Sequence, residues 1–319
     1  MNDISDDSPF AESAIGALLG CAVGDAVGEL AFAYRERSDL MMAAAHMPLL
    51  RYTDDTAMAI ALAESLIAAE GVDTEALGET FARHYAAEPT RGYGPGPPAI
   101  FAEAARTGAS YTEAARSLYG GEGSFGNGAA MRIAPLGVAF HADSDTLYTM
   151  ACRSAAVTHA HPIGQDGAAV LATAVALATA HHIAQETIAP KVFADRVRQA
   201  AQTALIEEKM AIVEDAIAED WPATAVADAV GRSVAVPESM PFAVYAFLQT
   251  PEDSLACLNC AVLNGGDRDT LGAMALSIAG AYLGPQGLRK VLINRLEGRD
   301  RLIALGWQLA KCFGADETP

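Results

Sequence analysis

Two short acidic segments hold the residues best suited to chemistry. Thr53-Asp54-Asp55-Thr56 directly precedes the apolar run 57–66, and Asp267-Arg268-Asp269-Thr270 directly precedes the apolar run 271–283. Thr53 stands where a helix N-cap is expected, which puts Asp54 and Asp55 in the first turn. Asp267 and Asp269 are two apart, so in an extended loop they project to the same side. Acids at a helix start have an ordinary explanation, because the macrodipole favours them by roughly 0.3–1 kcal/mol. Occurring twice, in distant parts of the chain, they also supply four carboxylates together with threonine oxygens. Such a hard, all-oxygen set suits Mg²⁺ or Mn²⁺, whereas zinc would recruit nitrogen or sulfur. Four carboxylates in one pocket repel one another unless cations share the space. Two divalent cations at roughly 3.5–4 Å balance that charge and can hold a water and a substrate together.

Other segments offer anion binding. In Gly123-Ser124-Phe125-Gly126-Asn127-Gly128-Ala129-Ala130-Met131-Arg132, three glycines around Ser124 and Asn127 can curl around a phosphate. Phe125 can stack on a base, and Arg132 can sit near phosphate or anchor the loop to an acid; an ordinary glycine turn has the same composition. Thr158-His159-Ala160-His161 precedes a long apolar segment, where a histidine can bind phosphate, act in acid–base chemistry, or simply be satisfied by backbone. The segment 92–98 (GYGPGPP) reads as a non-helical loop.

These segments must be positioned by helices. Alanine- and leucine-rich runs at 57–69, 167–182, 192–209 and 271–283 have helical length, and β-branched alternation is nearly absent. Val234–Val236 and Val291–Ile293 are too short to argue for a sheet. The expected architecture is all-α, one compact multi-helix domain over 10–313, with loose tails at 1–9 and 314–319. Gly16, Gly20, Gly24 and Gly28 recur every four residues and form a bare stripe on a helix. Each costs roughly 0.5–1 kcal/mol relative to alanine. Very close packing on a neighbouring helix accounts for the stripe; exposure of backbone to a ligand near 24–28 is the alternative.

Composition narrows the partners. With 40 acidic against 21 basic residues the formal net charge is −19, and hydrophobic residues make up 51% of the 319-residue chain. The acidic excess disfavours broad nucleic-acid binding and an anionic membrane surface. Five cysteines, odd and sparse, do not suggest a disulfide framework. Cys257 and Cys260 are read as small apolar residues on a helix rather than as metal ligands. The polar, acidic start lacks the pattern of a signal peptide, and a reducing cytoplasm is expected. Two apolar stretches, 14–34 and 167–180, read as buried helices of a soluble protein: Asp25 and Glu29 interrupt the first, and the second falls short of the roughly 20 residues a span needs.

Taken together, the motifs resemble the ADP-ribosylglycohydrolases, the metal-dependent ADP-ribosylhydrolases that include the dinitrogenase reductase activating glycohydrolases. The matching segments are GALLGCAVGDAVG (16–28), YTDDTAMAIALAESL (52–66), RGYGPG (91–96), GSFGNGAAMRIAPLG (123–137), VTHAHPIGQDGA (157–168) and LNGGDRDTLGAMALSIAGAYLG (263–284). The resemblance implies a dinuclear Mg²⁺ or Mn²⁺ centre held by Thr53, Asp54, Asp55, Asp267, Asp269 and Thr270. It places the diphosphate of ADP-ribose against Gly123, Ser124, Phe125, Gly126 and Asn127, with His159 nearby. Phe125 and the loop residues Gly92, Tyr93 and Gly94 would border the adenosine and ribose. The substrate would be an ADP-ribosylated molecule, a protein in the first instance.

One departure concerns the catalytic acid or base. Members of this family carry an acid a few positions after GDxxG, where this chain has Phe32. Asp55 and Glu29 are the remaining candidates for that role. The expected activity is hydrolysis at the anomeric carbon of the distal ribose. A non-catalytic ADP-ribose binder and a pyrophosphate-cleaving dinuclear hydrolase are the rivals.

Overall fold

In the computed structural model, which describes residues 8–314, the two glycine-bearing apolar helices form the axis of the molecule. The helix Pro9–Ala31 runs antiparallel to the helix Arg268–Leu283. Gly16 abuts Gly280, Gly20 abuts Leu276, Gly24 abuts Gly272, and Gly28 abuts Arg268 and Asp269. A Cβ at any of these four positions would overlap a backbone carbonyl oxygen of the partner helix. Close packing is therefore the reason for the stripe. It brings the GDAVG end of one helix beside the GGDRDT start of the other.

Around this pair pack the helices Asp54–Ala69 and Pro162–Ala184, followed by shorter ones, over a contiguous core running from Phe10 to Ala310. The described residues contain no strand, only the isolated bridges Leu50–Leu296 and Gly126–Ala235. The all-α expectation holds.

Several boundaries differ from those expected. Pro9 is the first residue of a helix rather than part of a tail, while 1–7 and 315–319 lie outside the described residues. The segment 96–98 is helical, because Pro97 and Pro98 fall in the first turn of the helix Gly96–Thr107, where a missing N–H costs nothing. The run 192–209 is two helices, Pro190–Gln199 and Ala204–Ala218. The break lies where the buried Asp166 accepts the backbone N–H groups of Gln202 (3.0 Å) and Thr203 (2.7 Å). The helix Pro162–Ala184 has 23 residues, so its length does not argue against a membrane span as had been expected. Both it and Pro9–Ala31 are long and apolar enough to cross a membrane, but both are mostly buried within the fold. The five cysteines are free, and Cys257 packs in the core.

Candidate functional site

The acidic side of the site is organised by a residue that the sequence reading passed over. Asp25, completely buried on the first long helix, accepts from the Thr53 N–H and Thr53 Oγ1 (2.9 Å each) and from the Thr56 N–H (3.0 Å) and Thr56 Oγ1 (2.6 Å). Thr53 does occupy the N-cap position of Asp54–Ala69, but its side chain caps nothing. Its hydroxyl is instead shared between Asp25 and Asp55 Oδ2, the latter at 3.2 Å. Asp55 Oδ1 is buried and has no hydrogen-bond partner.

Asp267 is the N-cap residue of Arg268–Leu283 and Asp269 lies in its first turn, so the two are not alternating positions of an extended loop as expected. Asn127 Nδ2 donates to Asp267 Oδ2 at 2.7 Å, tying the glycine loop to the acidic cluster. Gly266 has φ +74°, and a Cβ there would overlap the Arg232 carbonyl oxygen, so only glycine lets the chain turn into the helix at this point.

Asp54, Asp55, Asp267, Asp269 and Thr270 line one cavity of about 280 Å³. Ser124, Gly126, Asn127 and His159 line it too, as do Gly92 and Gly94. The structure thus brings together most of the residues proposed from sequence. Thr53 joins through its bond to Asp55. Burial raises the carboxyl groups, and their neighbours add to the effect. Asp54 is pushed up to about 7 by burial and then by Asp25. Asp269 is pushed up to about 8 by burial and then by Asp267. Asp55 is raised by burial, Asp25 and Asp269. Asp25 reaches only about 6, since its threonine hydrogen bonds oppose its burial. Burial and mutual repulsion thus act together on the gathered acids. Among the described residues no three His, Cys, Asp or Glu side chains form a ready-made single-ion cage; the acids are spread around the cavity.

The donor chemistry nonetheless fits a hard cation. All the groups are oxygens, and one buried carboxylate oxygen, Asp55 Oδ1, has no protein partner.

Other expected residues are placed differently. Glu29 is exposed and does not line the cavity. It stands in the last turn of the helix Pro9–Ala31, one turn beyond the buried Asp25. Of the two candidate acids or bases, Asp55 lines the cavity and Glu29 does not. Phe32 is also exposed. Tyr93 does not line the cavity; its ring lies edge-on to Tyr85 at 5.1 Å. Gly123 and Phe125 border an adjoining depression with His161, whose ring centroid is 5.2 Å from that of Phe125.

Arg132 is fully buried and contacts no acid; Nη1 donates to the Gly128 carbonyl at 2.7 Å and Nη2 to Thr158 Oγ1 at 2.7 Å. It therefore anchors the glycine loop through a carbonyl and a hydroxyl rather than through a carboxylate.

Sequence reasoning also missed the segment 232–236. The Val234 carbonyl accepts from Asn127 N–H (2.9 Å), Val236 N–H donates to the Phe125 carbonyl (3.1 Å), and the Arg232 carbonyl accepts from Asp267 N–H (2.9 Å). This strap holds both site loops, and nothing in its local composition announces it. Asp25 did leave a signal, as the one acid within the otherwise apolar and glycine stretch 14–28.

An all-helical frame with a polar cavity where its acidic helix starts meet a glycine loop delimits the kind of protein, and comparison with known sequences settles the family. The model of the ADP-ribosylglycohydrolase family matches residues 6–318, and the chain belongs to this family. Its substrates accordingly contain ADP-ribose, and its members are hydrolases.

ADP-ribosylhydrolase ARH3 of Bos taurus is 31% identical, covering 93% of this chain and 92% of its own length. The Homo sapiens ARH3 is 31% identical, covering 93% of each. The Escherichia coli protein YegU is 30% identical, covering 91% of this chain and 93% of its own. A solved structure described as an ADP-ribosylglycohydrolase-related protein complex superimposes with a TM-score of 0.72 at 26% identity, covering 95% of this chain and 98% of that one.

Proposed function

We propose that this protein removes ADP-ribose from a modified substrate, an ADP-ribosylated protein in the first instance, by hydrolysing the bond at the anomeric carbon of the distal ribose with the help of two divalent cations, Mg²⁺ or Mn²⁺. The observation that carries this reading is Asp55 Oδ1, a buried carboxylate oxygen without a partner in a cavity lined by four aspartates. Thr53, Asp54, Asp55, Asp267, Asp269 and Thr270 would hold the cations. When bound, such ions supply Lewis acidity and a more acidic water.

The chain's own groups do the rest. The glycine loop around Ser124–Asn127 receives the diphosphate, and Asn127 keeps this loop in register with Asp267. His159 is driven down to about 3 by burial and then by Arg132, so it is a neutral group beside the ligand. Phe125 and His161 flank the adjoining depression, a surface suited to the adenosine end. Asp55 accepts the proton of the water that attacks the anomeric carbon, at the carboxylate oxygen a cation does not engage. As that water's oxygen bonds to the ribose, the bond to the leaving group breaks; the leaving group departs with the bonding pair and takes up a proton from solvent, and Asp55 later returns its own proton to solvent. Residence in a reducing cytoplasm belongs to the same proposal and is supported by the five free cysteines.

The test is release of ADP-ribose from a modified protein with Mg²⁺ or Mn²⁺, with Asp54→Ala and Asp269→Ala as controls. Activity equal to wild type in both variants would remove the cation-dependent mechanism. The outward positions of Glu29 and Phe32 favour a second reading, a non-catalytic ADP-ribose binder. Calorimetry showing tight ADP-ribose binding with no turnover would select it.

A further inference from the structure

The feature of the site that the hydrolytic proposal leaves unused is a buried cation with no anion. Arg132 has no exposed surface, its Nε has no partner, and its guanidinium lies 4.6 Å from the centre of the Phe81 ring. Burial brings it down to about 9, against the opposing pull of Asp54. Burying a guanidinium without a carboxylate is unfavourable, so the groups it does bond to call for an explanation.

Those groups lead to the ligand cavity. Arg132 Nη2 donates to Thr158 Oγ1, and Thr158 Oγ1 lies 2.8 Å from His159 Nδ1. An arginine only donates, so the Thr158 oxygen is an acceptor in the first bond. The threonine's own proton then needs an acceptor, and His159 Nδ1 is the one within hydrogen-bond reach among the described residues. Were Nδ1 to carry hydrogen, Thr158 Oγ1 would receive two donors while its own buried proton had nowhere to go. On the far side of the ring, Nε2 lies against Gly126 and Gly128; a Cβ added to them would sit 3.5 and 3.1 Å from it. The first is ordinary contact, but at Gly128 the added Cβ would also sit 2.9 Å from Cε1, so Gly128 cannot become alanine without crowding the ring.

We propose that Arg132 and Thr158 are positioning residues that fix His159 as its Nε2–H tautomer, a neutral donor presented to an anionic phosphate oxygen in the cavity. Arg132 also holds the Gly128 carbonyl, so a single side chain sets both the ring and the loop that face the ligand. A neutral donor avoids a titrating charge in a site that must also admit cations. The inference deepens the proposed function and rests on its placing of the diphosphate beside His159.

The test reads the ring directly. Selective ¹⁵N-histidine labelling, with His159→Gln to assign the signal among the seven histidines, reports which nitrogen is protonated. The wild type should show Nε2–H with Nδ1 as acceptor. Thr158→Val should lose this bias and bind ADP-ribose about tenfold more weakly, a lost hydrogen bond of about 1.4 kcal/mol. With a modified substrate KM should rise while kcat holds. Thr158→Ser keeps the hydroxyl and should restore tautomer and affinity together.

A wild-type ring in the Nδ1–H form or as a mixture overturns the inference, and so does a folded Thr158→Val with unchanged tautomer. Should Thr158→Val fail to fold, the wild-type spectrum alone decides. Binding of ADP-ribose without turnover would remove the hydrolase while leaving this inference standing, so the two failures are distinct.

Discussion

The Asp25 carboxylate accepts both the backbone N–H and the hydroxyl of Thr53, each at 2.9 Å, across a gap of 28 residues. The hydroxyl proton of Thr53 is thereby committed to a carboxylate, which leaves lone-pair density on its oxygen for a cation. Asp25 thus sets the shape of the TDDT turn without lining the cavity itself. Replacing a residue that orients ligands in this way costs about 10–100-fold in metal affinity. We predict a loss of that size in Mn²⁺ affinity for Asp25→Asn, measured by calorimetry. Asp166→Asn, at a buried acid that organises a distant helix start, should lower stability and leave Mn²⁺ affinity unchanged.

Like charges gathered around one cavity oppose folding until a cation joins them. Asp269→Asn should therefore match or exceed the wild-type Tm in chelator, because one of the four repelling acids is gone. Saturating Mn²⁺ should raise the wild-type Tm, by the equivalent of about 2.7 kcal/mol at a hundred times Kd, and leave the variant nearly unmoved. Thermal scans with and without metal check both arms. A chelator should also weaken ADP-ribose binding, since the acids would then face the diphosphate unneutralised.

The two catalytic candidates should separate. Glu29→Gln alters an exposed side chain outside the cavity and should leave turnover unchanged. Asp55→Asn removes the proposed proton acceptor and should lower kcat by about 10²–10⁴. Single-turnover release of ADP-ribose decides between them.

His159 supplies a pH signature. Its ordinary value of 6.5 is driven down to about 3 by burial, so the folded protein binds fewer protons at this ring than the unfolded chain does between those values. Its contribution to stability is complete above about 6.5 and is lost as pH falls toward 3. The ring should show no titration by NMR between pH 5 and 8. Between pH 6.5 and 4 the wild type should lose more stability than His159→Gln.

The helix axis should be intolerant of a single methyl group. Gly24→Ala drives a Cβ into the Gly272 carbonyl and should cost about 3 kcal/mol or more, or prevent folding. Gly94→Ala meets nothing within 4 Å and should stay within about 0.5 kcal/mol. Denaturant titration compares the two.

What could be read from the chain was local in its physics. Alanine-rich runs form helices from their own propensities, so the all-α class was legible, as was the close packing announced by Gly16 to Gly28. The acidic threonine segments were legible too, because each sits where a helix begins. Four things belonged to the tertiary structure alone. Asp25 became an organising residue because the chain folds back to place Thr53 and Thr56 over it. Glu29 falls outside the cavity because it stands exposed in the last turn of its helix, a placement that the packing around the helix end decides. The 232–236 strap acts through backbone groups, which carry no side-chain signal. Arg132 anchors the glycine loop through a carbonyl and a threonine rather than through the acid that was one expected anchor. In each case the outcome depends on how closely distant helices approach, and hydrogen bonding and burial respond to that distance rather than to sequence neighbours.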